Sequence, residues 1–230
     1  MATTAVIGST GLVGSHILAT LLSLPSISSV YAIARRQPTS ADPKLHPLVN
    51  AETSQWAAAL SAVAPTPSIL FSALGTTRAA AGSIEAQRKI DYDLNLGVAK
   101  AAKAAGVKVY VLISTSGANP HAYVPYSKMK GELEEAVKEL GFEHTVILRP
   151  GLLVGSREES RPAEALFRSV ANGLGAISGG LLKDFWAQDA EVVARAGVGA
   201  GLQALRGEKP KVWVLAQADV VRLGKTEWKA

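Results

Sequence analysis

The stretch Val6-Ile7-Gly8-Ser9-Thr10-Gly11-Leu12-Val13-Gly14 decides the fold. A short apolar run leads into Gly-x-x-Gly-x-x-Gly, and an apolar, helix-like segment continues through Leu24. A strand that turns tightly into a helix leaves backbone N–H groups facing open space, at the positive end of the helix dipole. Such a turn seats a pyrophosphate. Glycine is required wherever a side chain would block the turn, the ligand or the contact between helix and strand. A second apolar run, Val30-Tyr31-Ala32-Ile33-Ala34, follows at the spacing of a βαβ unit, and that context lifts the motif above a chance spacing of glycines.

Outward from this unit the pattern alternates strand and helix. Strands are expected near 4–8, 30–34, 46–50, 68–74, 108–114, 144–149 and 211–215. Helices are expected near 11–24, 53–63, 83–105, 126–140, 163–172 and 189–206. Most strands are continuous apolar runs, such as Val109-Tyr110-Val111-Leu112-Ile113, which marks a parallel sheet covered on both faces. The alternation implies a doubly wound α/β fold. Gly106 and Gly141 stand where helices should end, just ahead of strands. The 230 residues, 48% of them hydrophobic, suit a single domain with a large core. Residues 152–187, rich in Gly, Ser and Arg, are expected to form a lid on the substrate side.

Composition excludes several classes of function. There is no cysteine, hence no disulfide framework and no thiol chemistry. The four histidines, His16, His46, His121 and His144, are scattered without ligand spacing, and no metal site is expected. The formal charge is +5, yet there is no basic run or aromatic ladder for nucleic acid. No apolar stretch is long enough to span a bilayer. No Asp or Glu precedes Asp42, a start that resembles a mitochondrial address. Cleavage there would delete the first strand and the glycine turn, so no cleaved presequence is expected. The basic N-terminal half permits peripheral contact with a membrane surface, although no basic amphipathic helix supports it.

Dinucleotide sites are typed at the end of the second strand, about 20 positions past the glycines: an acid holds a ribose hydroxyl, an arginine a 2′-phosphate. Counting on from Gly14 reaches Ala34, followed by Arg35 and Arg36. A planar, permanently charged fork suits phosphate, so the spacing predicts NADPH/NADP+ over NADH. The plainer alternative is that the paired arginines solvate a strand end. A further run, Leu74-Gly75-Thr76-Thr77-Arg78, closes the fourth strand where its backbone can approach a ligand.

The fifth strand ends Ser114-Thr115-Ser116-Gly117, and ten residues past Ser116 comes Tyr126-Ser127-Lys128-Met129-Lys130. Tyr126 and Lys130 share a helical face. A free tyrosine, with a pKa of about 10, is a poor acid–base near neutrality. A neighbouring ammonium and a positive nicotinamide ring both favour its phenolate, which makes it usable for proton transfer to a carbonyl oxygen. A serine hydroxyl would orient that carbonyl. Ser116 fits best by its spacing from the strand, with Ser114 and Thr115 close by.

Together these residues resemble the short-chain dehydrogenase/reductase superfamily in its extended and atypical branches, across nearly the whole chain. Leu74 to Arg78, Asp91-Tyr92-Asp93, Tyr126 to Glu132, Arg149-Pro150-Gly151 and Glu159 to Pro162 are similar to the branch of the human HIV Tat-interacting protein and its fungal mitochondrial members. The resemblance implies a Rossmann fold. It implies NADPH along Gly8, Ser9, Thr10, Gly11, Leu12, Val13 and Gly14, then Arg35, Arg36, Leu74, Gly75, Thr76, Tyr126 and Lys130, with contacts from Leu153 and Arg161. One departure stands out: many extended members carry Asn where Asp91 stands, and Asp cannot donate as an amide does.

The expected function is an NADPH-dependent carbonyl reductase acting on a small, largely apolar molecule, with Tyr126 as acid, Lys130 as its activator, and Ser116 or Ser114 orienting the carbonyl. The alternative is a non-catalytic NADPH-binding regulator. The resemblance further implies a place in the cytoplasm or on the cytosolic face of the mitochondrial outer membrane. It also leaves room for a homodimer through the helices near 83–105 and 126–140.

Overall fold

Strand β5 (Val109–Ile113) shows how this sequence builds its core. Val109, Val111 and Ile113 point into one apolar cluster, while Tyr110 and Leu112 point into another. All five are buried, because helices cover both faces of the sheet. The computed structural model describes residues 1–154 and 187–229. Seven parallel strands make the sheet: β1 (Ala2–Ile7), β2 (Ile27–Ala34), β3 (Leu45–Val49), β4 (Ile69–Ser72), β5, β6 (His144–Leu148) and β9 (Val212–Leu215). Their order is β3-β2-β1-β4-β5-β6-β9. The strand sequence therefore runs one way from β1 and then reverses beside it. A crevice opens at that switch point, between the carboxyl ends of β1 and β4.

One face of the sheet carries α1 (Leu12–Ser23) and the long helix Ala190–Leu205. The latter is rich in Ala and Gly, and this lets it lie close: a β-carbon on Gly201 would stand 3.1 Å from Phe71 and Val111. The other face carries α2 (Trp56–Ser61), α5 (Asn95–Ala104) and α6 (Pro125–Glu139). The glycines expected to end helices, Gly106 and Gly141, do adopt left-handed φ values of 93° and 68°.

Three features depart from expectation. The segment near 83–105 is not one helix. It runs as α4 (Ile84–Arg88), a π-helical turn over Lys89–Leu94, and α5. The wider turn brings both Asp91 and Asn95 fully inside. A second, two-stranded parallel sheet, β7 (Leu152–Val154) with β8 (Ala187–Asp189), was not foreseen. Its Gly151 N–H donates to the buried Gln188 side chain at 2.5 Å. The chain also closes on a short helix, Gln217–Val221, and a π-helical turn over Arg222–Thr226. The expected helix near 163–172 lies outside the described residues, as does all but the two ends of the expected lid.

Helix α6, which carries Tyr126 and Lys130, is fixed by contact with the loop after β5. The Asn119 N–H donates to the Ser127 carbonyl at 3.1 Å. A β-carbon on Gly131 would stand 2.3 Å from the Asn119 carbonyl carbon and the Pro120 nitrogen. Gly131→Ala is therefore expected to push helix and loop apart, at a cost of about 2 kcal/mol and a thermal midpoint lower by roughly 4–8 °C. A midpoint equal to the wild type's, by calorimetry or circular dichroism, would contradict this packing.

Candidate active site

The glycine turn is built as the sequence demands. Gly8 takes φ 77°, and its β-carbon would fall 2.7 Å from the Ala73 carbonyl oxygen, so β1 and β4 meet backbone to backbone. On Gly14 a β-carbon would lie 2.0 Å from the Gly8 oxygen. The Gly11 N–H donates to Gly8 O at 2.9 Å. No side chain caps α1 and no acid stands in its first turn. Its first N–H groups and positive dipole end therefore face the crevice.

One cleft of about 870 Å³ runs along this crevice. Gly8 to Val13 form its floor; Ala34, Arg35 and Arg36 line one end; Ala73 to Thr77 form a wall; and Ile113, Ser114, Tyr126, Lys130 and Leu153 line the other end. Of the expected nucleotide contacts within the described residues, only Gly14, which backs the turn, is not in this lining; Arg161 lies outside the described residues. Asp42 is in it, an acid that counting 20 positions past the glycines does not reach. Its Oδ1 accepts from the Lys44 N–H at 2.8 Å.

The residues fit a dinucleotide. The cleft has the size of small-molecule sites, roughly 300–1,000 Å³. The Ser9 hydroxyl is buried in the turn and has no hydrogen-bond partner among the described residues. A buried polar atom without a partner is costly, and a ligand oxygen at this position would satisfy it.

The two expected serines part company. Ser114 lines the cleft; it is buried and donates to Glu134 Oε1 at 2.5 Å. Ser116 is exposed, does not line the cleft, and accepts from Gln217 Nε2 at 2.8 Å. Glu134, fully buried, also accepts from Arg149: Nε at 3.1 and 3.2 Å, Nη2 at 2.5 Å. Glu134 escaped the sequence reading, although it sits four residues past Lys130 on the face already occupied by Tyr126. Extending that period by one turn would have found it.

Lys130 is buried, and its Nζ lies 3.8 Å from Asp91 Oδ1. Both Asp91 oxygens accept from the Thr76 N–H at 3.1 Å. Gly75 is needed here, since a β-carbon would stand 2.8 Å from that carboxylate. The buried amide of this helix is Asn95, one turn on. Its Nδ2 donates to Leu74 O and Asp91 O, each at 3.1 Å, and its Oδ1 accepts from Ser72. Burial raises the Asp91 pKa, with Lys130 and the Thr76 N–H pulling the other way. Burial likewise lowers that of Lys130, opposed by Asp91 and Glu134.

The expectation that Lys130 favours the Tyr126 phenolate is corrected here for the protein's own contribution. The phenol is pushed up to about 12, first by burial and then by the Asp91 carboxylate. Lys130 Nζ lies 6.0 Å from the Tyr126 ring centre and 3.8 Å from Asp91 Oδ1.

A profile of the family described as NAD dependent epimerase/dehydratase matches residues 4–184. Among curated relatives, "Protein fmp52-1, mitochondrial" of Aspergillus terreus is 56% identical over 232 residues, covering 98% of this chain and 100% of its own. "Protein FMP52, mitochondrial" of Chaetomium globosum is 48% identical over 232 residues, covering 100% of both. Among solved structures, a short-chain dehydrogenase/reductase of Saccharomyces cerevisiae superposes with a TM-score of 0.68 at 17% identity, covering 97% of this chain and 99% of the other. The Bordetella bronchiseptica enzyme WbmH, in complex with NAD+, gives 0.66 at 17% identity, covering 94% and 75%. At such identities the structural likeness speaks to the fold.

Removing Arg149 would take from the buried Glu134 its ion-pair partner and leave Ser114 as its hydrogen-bond donor. Arg149→Met is expected to cost roughly 3 kcal/mol, and pairing it with Glu134→Leu should recover most of that. Denaturant unfolding of the two variants checks this; a single variant within about 0.5 kcal/mol of wild type would show the pair to be inconsequential.

Proposed function

The chain belongs to the NAD dependent epimerase/dehydratase family, and from that membership we propose that it is an NADPH-dependent oxidoreductase of short-chain dehydrogenase/reductase type, reducing the carbonyl of a small, largely apolar substrate. The observation that carries this reading is the single cleft joining Arg35 and Arg36, the glycine turn, Tyr126 and Lys130. The turn and Ser9 would hold the pyrophosphate, Arg35 and Arg36 a 2′-phosphate. Bound so, the nicotinamide would supply hydride. Tyr126, a neutral phenol across the physiological range, would give its proton to the carbonyl oxygen. Ile113 and Leu153 would exclude water at the reacting end and favour an apolar substrate.

A second reading, a non-catalytic NADPH-binding regulator, is favoured by one observation: Ser114 and Lys130 are already engaged with Glu134 and Asp91. Turnover separates the two. The relatives' names place them at mitochondria, and we extend that location to this chain, as a peripheral protein on the cytosolic face of the outer membrane. Among the described residues no helix is long and apolar enough to cross a membrane. Salt-sensitive flotation with anionic liposomes tests the peripheral contact.

Two outcomes are expected. Tyr126→Phe should bind NADPH as the wild type does but consume it at least about 100-fold more slowly over a panel of quinones, ketones and aldehydes. Binding by the wild type without consumption over any acceptor would favour the regulator. By calorimetry, Arg35→Ala and Arg36→Ala should each weaken NADPH roughly 10- to 100-fold and leave NADH nearly unchanged. Equal losses for both nucleotides would remove the 2′-phosphate role.

A further inference from the structure

Ser114, Tyr126 and Lys130 line one end of the cleft together with Ile113 and Leu153. Ser114 is the residue there whose hydrogen-bonding polarity the geometry fixes. It follows β5 by one residue, and its buried hydroxyl meets Glu134 Oε1 on α6 at 2.5 Å. Glu134 is fully buried and is gripped from its other side by Arg149, through Nε at 3.1 and 3.2 Å and Nη2 at 2.5 Å.

A guanidinium stays protonated in proteins, and the carboxylate paired with it has no proton to give. The hydrogen between Ser114 and Glu134 therefore belongs to Ser114. A hydroxyl has one proton and two lone pairs. With that proton directed at Glu134, Ser114 offers its side-chain lone pairs and nothing else. Its backbone N–H is engaged as well, donating to the Leu148 carbonyl at 2.8 Å. The residue thus has no donor left for a ligand. A carbonyl oxygen set against its hydroxyl would meet lone pairs with lone pairs, whereas an O–H or N–H would complete the bond.

We propose that Ser114 is a hydrogen-bond acceptor toward the ligand, and that Glu134, held by Arg149, is the positioning residue that makes it one. This reverses the donor role expected of Ser114 from the sequence. It rests on the reductase reading and deepens it by naming the substrate class: a small carbonyl compound that carries a hydroxyl or N–H beside the carbonyl. Tyr126 donates to the carbonyl oxygen, and Ser114 accepts from the neighbouring group. A site built to bind a substrate hydroxyl rejects an analogue that lacks it, because its own polar group is then left unpaired.

The test is a nuclear magnetic resonance titration of the chain with 13C-labelled isoleucine and leucine methyls, in the presence of NADP+. The Ile113 and Leu153 signals are followed as hydroxyacetone, butanone or methoxyacetone is added. Butanone has a methyl in place of the hydroxyl, and methoxyacetone keeps the oxygen without its proton. Hydroxyacetone should bind about 10-fold more tightly than either of the others. Ser114→Ala should abolish that preference, and Ser114→Thr, which keeps the hydroxyl, should retain it. Glu134→Leu combined with Arg149→Met releases the Ser114 proton and should also lessen it. A purely structural role for these residues would change stability and leave the preference as it was. Equal affinities in the wild type, no binding of any of the three, or a preference that survives Ser114→Ala would overturn the proposal. Should Ser114→Ala fail to fold, the wild-type comparison decides by itself. The readout needs no turnover, so a chain that prefers hydroxyacetone yet consumes NADPH over no acceptor would lose the reductase reading and keep the assignment of Ser114.

Discussion

Between the first strand and the first helix the backbone folds so closely on itself that any side chain at Gly14 would enter the Gly8 carbonyl, and any at Gly8 would enter Ala73. This steric constraint sets the rest. It brings β1 and β4 together at the point where strand order reverses, and it turns the open end of α1 toward the gap between them. The cleft follows from that meeting. Its far wall follows as well, because β5 pairs with β4 and delivers Ser114 to the same edge.

Upon this frame sits a set of buried charges that a soluble core ordinarily avoids. Asp91 with Lys130, and Glu134 with Arg149, are arranged so that no charge is left alone. Such pairs contribute little net stability, since desolvation offsets their attraction. Their value lies in arrangement. They fix Ser114 and Lys130 at the end of the cleft that Tyr126 also lines.

Most of the sheet was legible because its central strands are buried on two faces and therefore read as apolar runs, as in Val109–Ile113. The glycine turn was legible too, since Gly8 and Gly14 act through local spacing, and Arg35 lines the cleft at the position that counting reached. What escaped depended on distance or on subtle backbone geometry. A π-helical turn has no side-chain signature, so Lys89–Leu94 read as plain helix. The pairing of Leu152–Val154 with Ala187–Asp189 joins segments far apart in the chain. The place of Asp91 beside Lys130 was not legible, because proximity in sequence says nothing of a carboxylate that arrives from another helix.

The central claim is that the glycine turn and the phenol belong to one nucleotide site. A crystal structure grown with NADP+ tests it most directly. The account predicts the pyrophosphate on the Gly8–Gly14 turn beside Ser9, the 2′-phosphate against Arg35 and Arg36, and the nicotinamide ring within contact of Tyr126. A bound nucleotide whose ring points away from Tyr126, or crystals that take up no nucleotide at saturating concentration, would contradict it.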